Sequence, residues 1–204
     1  MNKTTIHFVR HGSVYNPKEI FYGRLPRFGL SPAGFYQAQV AAFSFIGKPI
    51  QAIFSSPLLR ARQTAKVIAQ YLGHPKVITS AYLTEVCTPF EGTPSRELTA
   101  RNWDLYTGFG PPYEQPVDVF NRAHRFIRVA LKARPGQQMV AVTHADVIVF
   151  LTLWAKGYPL DFEHKSLIEH GKIPVDFPSP ASVTALTWED ERDIPEFVYS
   201  ALLE

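Results

Sequence analysis

The chain carries a single cysteine, Cys87, which excludes an internal disulfide framework. No stretch of lysines or arginines is dense enough to mark a nucleic-acid surface. No apolar run is long enough to span a bilayer, and no hydrophobic signal region precedes the first strand-like segment. A soluble cytoplasmic protein with no membrane or nucleic-acid partner is therefore expected. Charged residues are modest at 19%, with an excess of only +3, a balance that suits an anionic small molecule. Hydrophobic residues make up 46% of the 204 positions, an ordinary globular share that excludes disorder. Repeats, low-complexity tracts and linker-like stretches are also lacking, so one domain is expected. In contrast, the 17 prolines and 15 phenylalanines are numerous, which predicts long, structured loops.

Strand and helix signals alternate along the chain. Residues 4–10 read as a buried strand that ends in Arg10-His11-Gly12. Ser13 to Gly29 is a loop without periodicity, and a loop of that length is more often functional than not. Leu30-Ser31-Pro32 opens a helix, with Ser31 as N-cap, Pro32 in the first turn and Leu30 stapled to Phe35. Its packing stripe is Gly34, Ala38, Ala41 and Phe45, and Gly47 and Pro49 end it. A second strand at 52–55 is followed by Ser56-Pro57, the same cap-plus-proline signal, and by a helix with the stripe Leu58, Ala61, Ala65, Ile68, Leu72. Gly73 stops it. Lys76 to Thr79 predicts a short third strand. The segment at about 84–116 shows no clean period and reads as an insertion or lid. A helix at 117–133 presents Val117, Phe120, Ile127 and Leu131 inward, with a packed His124 on the same face. Strand 139–143 runs into His144, and a short helix covers 146–154. Residues 157–180 are irregular. Strands 183–188 and 196–200 form a hairpin across Glu189 to Asp193. The fold class expected is α/β: a three-layer sandwich, mostly parallel sheet with helices on both faces and a C-terminal β-hairpin.

Parallel strands bring their carboxyl ends to one edge, where ligands of open α/β sheets bind. Arg10-His11, Ser55-Ser56 and His144 all follow strands, so two histidines and several arginines converge there. A histidine at that place can act as nucleophile or base, and a glycine after it lets the backbone approach a ligand closely. Arg60 and Arg62 stand in the first turns of a helix, where the macrodipole disfavours cations unless an anion docks. For Arg62 a solvated surface position is expected. His7 is read as packed in its strand, and Cys87 as a wall residue. His164 and His170, with Glu163 and Glu169, match no metal spacing and are read as surface loop residues. Trp103, Tyr106, Phe109 and Tyr113 line either a pocket or the insertion's own small core.

The order Arg10-His11-Gly12, Ser55-Ser56-Pro57-Leu58-Leu59-Arg60-Ala61-Arg62-Gln63-Thr64-Ala65, Leu83-Thr84-Glu85 and Val142-Thr143-His144 resembles the histidine phosphatase superfamily, the phosphoglycerate mutase-like group. The resemblance implies that His11 accepts the phosphoryl group as phosphohistidine. It implies that Arg10 and Arg60 clamp phosphate oxygens, that His144 completes the positive pocket, and that Glu85 gives a proton to the leaving oxygen. Asn16 and Gly23 match positions of the phosphate-facing loop. Arg24 is a candidate second anion contact, and Ala145 is placed in the substrate-binding set. Ser13 replaces a frequent glutamate, Asn16 stands one residue closer to the histidine than in the mutases, and Ala145-Asp146 stand where two glycines are common. Phe90-Glu91-Gly92 stands where Trp-Glu-Gly is frequent, which makes Glu91 a rival acid to Glu85.

Phosphoryl transfer depends on positioning and charge neutralisation, and fixed cations supply both without a metal or other cofactor. They also lower the pKa of His11 and keep its ring nucleophilic. The function expected is metal-independent hydrolysis of a small phosphorylated metabolite or other phosphate ester. A phosphoglycerate mutase and a catalytically weak phospho-ligand binding protein are the alternatives, and a homodimer is compatible with the sequence.

Overall fold

The structure, a computed structural model, describes residues 3–73, 76–190 and 194–201. Six strands form one sheet: β1 (Thr4–Arg10), β2 (Ile50–Ser55), β3 (Ile78–Thr79), β4 (Gln138–Thr143), β5 (Val183–Trp188) and β6 (Glu196–Ser200). Their order is β3-β2-β4-β1-β5-β6. The first four are mutually parallel, and β5 and β6 complete the edge as an antiparallel hairpin. Residues 191–193 of the expected turn lie outside the described residues.

Alternation along the central strands splits the core in two, because successive side chains point to opposite faces. Ile6, Phe8, Met139 and Ala141 join one cluster with α4 (Pro116–Ala133) and α5 (Ala145–Ala155). Val9, Val140 and Val142 join the other with α1 (Pro32–Phe43) and α2 (Leu59–Tyr71). The two helical layers around the sheet give the expected sandwich. No helix among the described residues is long and apolar enough to cross a membrane.

Ser31 caps α1 as expected, accepting from the Gly34 amide at 3.0 Å. The helix stops at Phe43, before Gly47, and Phe45 is buried just beyond it. Phe35 is 40% exposed, so the staple to Leu30 does not anchor it in the core. Ser56 is not a helix cap: α2 begins at Leu59, and the Ser56 hydroxyl is used elsewhere. In α4, Val117 is exposed, because Pro116, Val119, Ala123, Phe126 and Ile127 set the buried face. His124 stacks on Phe120, its ring edge to Trp154. Two short helices went unpredicted: α3 (Ser95–Ala100) and α6 (Phe162–Glu169), the latter capped by Asp161 accepting from the His164 amide at 2.8 Å.

Candidate active site

The parallel pairing of β1 with β4 places Arg10 beside Thr143. One residue on, His11 and His144 leave the sheet together, their ring centroids 5.2 Å apart. Both are buried. The His11 amide donates to the Thr143 carbonyl at 3.0 Å, so the chain holds its strand partner into the loop.

Gly12 serves a different approach from the one its sequence context suggests. A Cβ there would lie 2.4 Å from the Gly34 carbonyl oxygen, and a Cβ on Gly34 would lie 2.0 Å from that of Ser13. The close contact is therefore between the loop after β1 and the first turn of α1.

Arg60 is fully buried and organises the site. Its Nε donates to His11 Nε2 at 3.1 Å. Its Nη2 donates to the Gly23 carbonyl at 2.8 Å and to His144 Nδ1 at 3.2 Å. Tyr22 lies beneath it, the guanidinium carbon 4.7 Å from the ring centroid. A guanidinium only donates, so these contacts fix both imidazole tautomers. His11 Nε2 and His144 Nδ1 carry lone pairs. The proton of His11 is on Nδ1, which donates to the Gly12 carbonyl at 2.8 Å. That of His144 is on Nε2, which donates to Ser56 Oγ at 2.8 Å. Burial, reinforced by the Arg60 charge, holds both histidines well below the usual 6.5. Arg10 adds to this at each ring, but for His11 desolvation is the larger cause, where the sequence suggested the cations alone.

Arg10 donates from Nη1 to the Pro178 carbonyl at 2.7 Å and sits over the Phe177 ring. Its Nε is buried and has no hydrogen-bond partner among the described residues. An unpaired buried donor on a cation is costly unless something accepts from it, and a phosphate oxygen would.

Glu85 faces the same group. Its Oε2 is 3.5 Å from His144 Nδ1 and 3.9 Å from Arg60 Nη2, and its Oε1 accepts from the Val86 amide at 3.0 Å. Burial and then the Asp146 charge raise its pKa above 4.5, against the pull of Arg60. A carboxyl whose protonated form is favoured by burial beside a histidine is suited to give up a proton. Glu91 is placed differently: its Oε1 accepts from the Arg24 amide, and its side chain packs 2.8 Å from where a Gly23 Cβ would be. It braces the loop and does not line the cavity.

Arg10, His11, Asn16, Glu85 and Ala145 all line one cavity of about 570 Å³. The Asn16 amide is spent on the loop, donating to the Ile20 carbonyl at 2.8 Å. Gly23 contributes its carbonyl to Arg60 rather than a cavity surface. Arg24 is not an anion contact at this wall. Its guanidinium donates to Glu114 Oε2 at 2.8 Å and to the Glu85 carbonyl at 2.7 Å, and Glu114 is shared as ion-pair partner between it and Arg122. Arg62 is exposed.

Several cavity residues escaped the sequence reading. Tyr22 is one; of the aromatics read as lining a pocket or a small core, Trp103 lines the cavity, whereas Tyr106 turns away to bond Asp146 Oδ2. Lys165, Glu169 and His170 line it too, although Glu169 and His170 read as surface residues of an irregular loop. Asp161 before Phe162-Glu163 was an N-cap signal, and Lys165 with Glu169 a helical i,i+4 pair; together they mark α6.

A model of the histidine phosphatase superfamily (branch 1) matches residues 6–197. The chain is 33% identical over 204 residues to the uncharacterized protein Rv0525 of Mycobacterium tuberculosis, covering 97% of this chain and 96% of that one. A mycobacterial glucosyl-3-phosphoglycerate phosphatase shares the fold with a TM-score of 0.75 at 21% identity, over 97% of each chain. A phosphoserine phosphatase from Entamoeba histolytica, solved with 3-phosphoglyceric acid, shares it with a TM-score of 0.73 at 20% identity, again over 97% of each.

Proposed function

We propose that this chain, which belongs to the histidine phosphatase superfamily, hydrolyses phosphate monoesters of small metabolites through a phosphohistidine formed at His11 Nε2. The observation that carries the reading is the tautomer lock: Nδ1 is tied to the Gly12 carbonyl, and the Nε2 lone pair is aimed at Arg60. That atom is the nucleophile.

In the first step the Nε2 lone pair attacks phosphorus in line with the ester oxygen. The P–O ester bond breaks, its electron pair passes to the leaving oxygen, and the Glu85 carboxyl protonates that oxygen. Arg60 turns its donors onto the phosphoryl oxygens, joined by Arg10 Nε. Preorganised donors of this kind stabilise the charge that develops in transfer. In the second step the Glu85 carboxylate takes a proton from water as the water oxygen attacks phosphorus. The P–N bond breaks, and its electron pair returns to Nε2. Arg60, fully buried, and Arg10, through its buried Nε, supply the positive charge, so the reaction proceeds without metal.

The test is hydrolysis of an aryl phosphate in excess EDTA by the wild type and by His11→Ala. Turnover in the wild type alone, with an acid-labile, alkali-stable phosphoryl adduct on quenching, supports the reading. Equal turnover in both would sink it. Activity abolished by the chelator and restored by Mg²⁺ would sink its metal independence. Transfer to a phosphoglycerate faster than to water would show a mutase instead, and binding without turnover would show a recognition protein.

A further inference from the structure

We propose that Lys165 and Glu169 form a subsite for vicinal hydroxyl groups, so that the esters this site favours are phosphates of sugars or similar polyols. The inference rests on the phosphomonoesterase reading above and names its substrate class.

Lys165 is 1% exposed, on α6, and lines the cavity that holds His11 and Glu85. Lysine is almost never buried so completely without pairing. Its Nζ donates to Glu169 Oε1 at 2.7 Å and lies 3.8 Å from Asp146 Oδ1. The first contact is a hydrogen bond; the second is an ion pair beyond hydrogen-bond reach. An ammonium has three N–H donors, and among the described residues only one is used. Burial of an ion pair is a weak means of stabilising a fold, so packing alone does not account for this one. Asp146 is fixed in turn by the Tyr106 hydroxyl on its Oδ2. Because Asp146 is the second residue of α5, two positions after His144, the subsite is tied to the catalytic edge of the sheet.

The chemistry of this wall selects the ligand. One ammonium stands against two carboxylates, so a leaving group carrying its own carboxylate meets net negative charge. A hydroxyl meets no such penalty: it donates to Glu169 and accepts from Lys165, and two adjacent hydroxyls engage both at once. The opposite requirement, an apolar surface for the C–H face of a ring, is met by Trp103 and Phe21. Both line the cavity, ring centroids 6.3 Å apart. Trp103 holds this place at φ 56°, and Asn102 before it at φ 52°. Left-handed backbone is disfavoured for a bulky side chain, and such strain collects where a ligand surface requires it. The cavity's volume of about 570 Å³ is in the small-molecule range, with room for a ring beyond the phosphate.

The experiment compares kcat/KM for glucose 6-phosphate, 3-phosphoglycerate and cyclohexylmethyl phosphate, which keeps ring and phosphate and drops the hydroxyls. An aryl phosphate reports the chemistry itself. The wild type is expected to favour glucose 6-phosphate over each of the other two alkyl esters by at least about tenfold. Glu169→Gln should shrink that ratio, and Lys165→Met combined with Glu169→Leu should abolish it; the double variant replaces the pair with side chains of similar volume and removes both charges. Aryl turnover with no preference among the alkyl esters, or an unchanged ratio in both variants, overturns the subsite and leaves the phosphatase reading standing. If no ester is turned over, that reading falls, and calorimetric binding to His11→Ala protein judges the subsite. Glucose 6-phosphate binding at least about tenfold tighter than cyclohexylmethyl phosphate supports it, and equal affinities overturn it.

Discussion

Arg60 donates from Nε to His11 Nε2 across 3.1 Å, so a buried cation points at the lone pair proposed as the nucleophile. The contact does three things together. It chooses the tautomer, orients the ring and opposes protonation. The last effect adds to desolvation, which is the main reason His11 stays neutral.

Replacing Arg60 with Gln separates these roles. Loss of a preorganised donor in such a site costs about 10²–10³ in kcat. With the neighbouring charge gone, His11 protonates at higher pH, so the acid limb of the kcat/KM profile moves upward. A pH–rate profile checks it; an unmoved limb would contradict the electrostatic role.

Glu85→Gln removes the proposed proton donor and leaves the proposed nucleophile, His11. With an alkyl phosphate, kcat should fall by about 10²–10⁴. With an aryl phosphate, whose phenolate leaves without help, phosphorylation survives while attack by water loses its base. Rapid-quench kinetics should then show a burst of phenol and accumulated phosphohistidine. Glu91→Gln should show no such accumulation, because Glu91 binds the Arg24 amide and not the reacting group.

Ser56→Ala deletes the acceptor of the His144 Nε2 proton. A buried donor left unsatisfied costs about 1–3 kcal/mol, readable as a lower denaturation midpoint. Since His144 also accepts from Arg60, kcat should fall with it. Ser56→Thr, which keeps the hydroxyl, should restore more of kcat than of stability.

Acidification should destabilise the fold through its buried histidines. His11 and His144 have folded pKa values below 6.5, so the unfolded chain takes up protons that the folded chain refuses. The stability they contribute is complete above 6.5 and is lost as pH falls below it. Each contributes a slope of at most about 1.4 kcal/mol per pH unit. Glu85 and Glu169, raised above 4.5, work in the opposite direction by binding protons in the folded state. Urea melts at pH 7.5 and 5.5 should show a smaller pH-dependent loss for His11→Asn than for the wild type.

Gly34→Ala tests the contact between α1 and the loop after β1. In a helix interior that exchange normally stabilises. Here the new Cβ would overlap the Ser13 carbonyl. Overpacking costs typically about 1–3 kcal/mol, and displacement of Ser13 would drag Gly12 and its grip on His11 Nδ1. Both the melting temperature and kcat are expected to drop.

The sheet and its catalytic edge were legible in the sequence because their signals are local. Ser31-Pro32 marks a helix start whatever else happens, and a buried strand ending in Arg10-His11 marks a site. Ser56-Pro57 shows where local reading stops. It carries the same signal, but its hydroxyl is claimed by His144, which arrives from far along the chain, and the helix starts three residues later. Val117 failed for a related reason, since Pro116 takes the first buried position of α4 and shifts the face. Lys165 offered least of all. A lysine in a proline-broken segment reads as solvated, and only the packing of α6 against α5 brings it to Asp146. Arg24 looked available for an anion because Glu114, its partner, lies in a segment with no period to place it.

The parallel register that sets Arg10 beside Thr143 has a kinetic consequence. His11 and His144 become neighbours only when the first strand finds the fourth, a pairing between distant parts of the chain. Such contacts form late, after their loop-closure entropy is met. Helical signal should therefore return early in refolding and phosphatase activity late, so that catalysis serves as a clock for closure of the central strand pair.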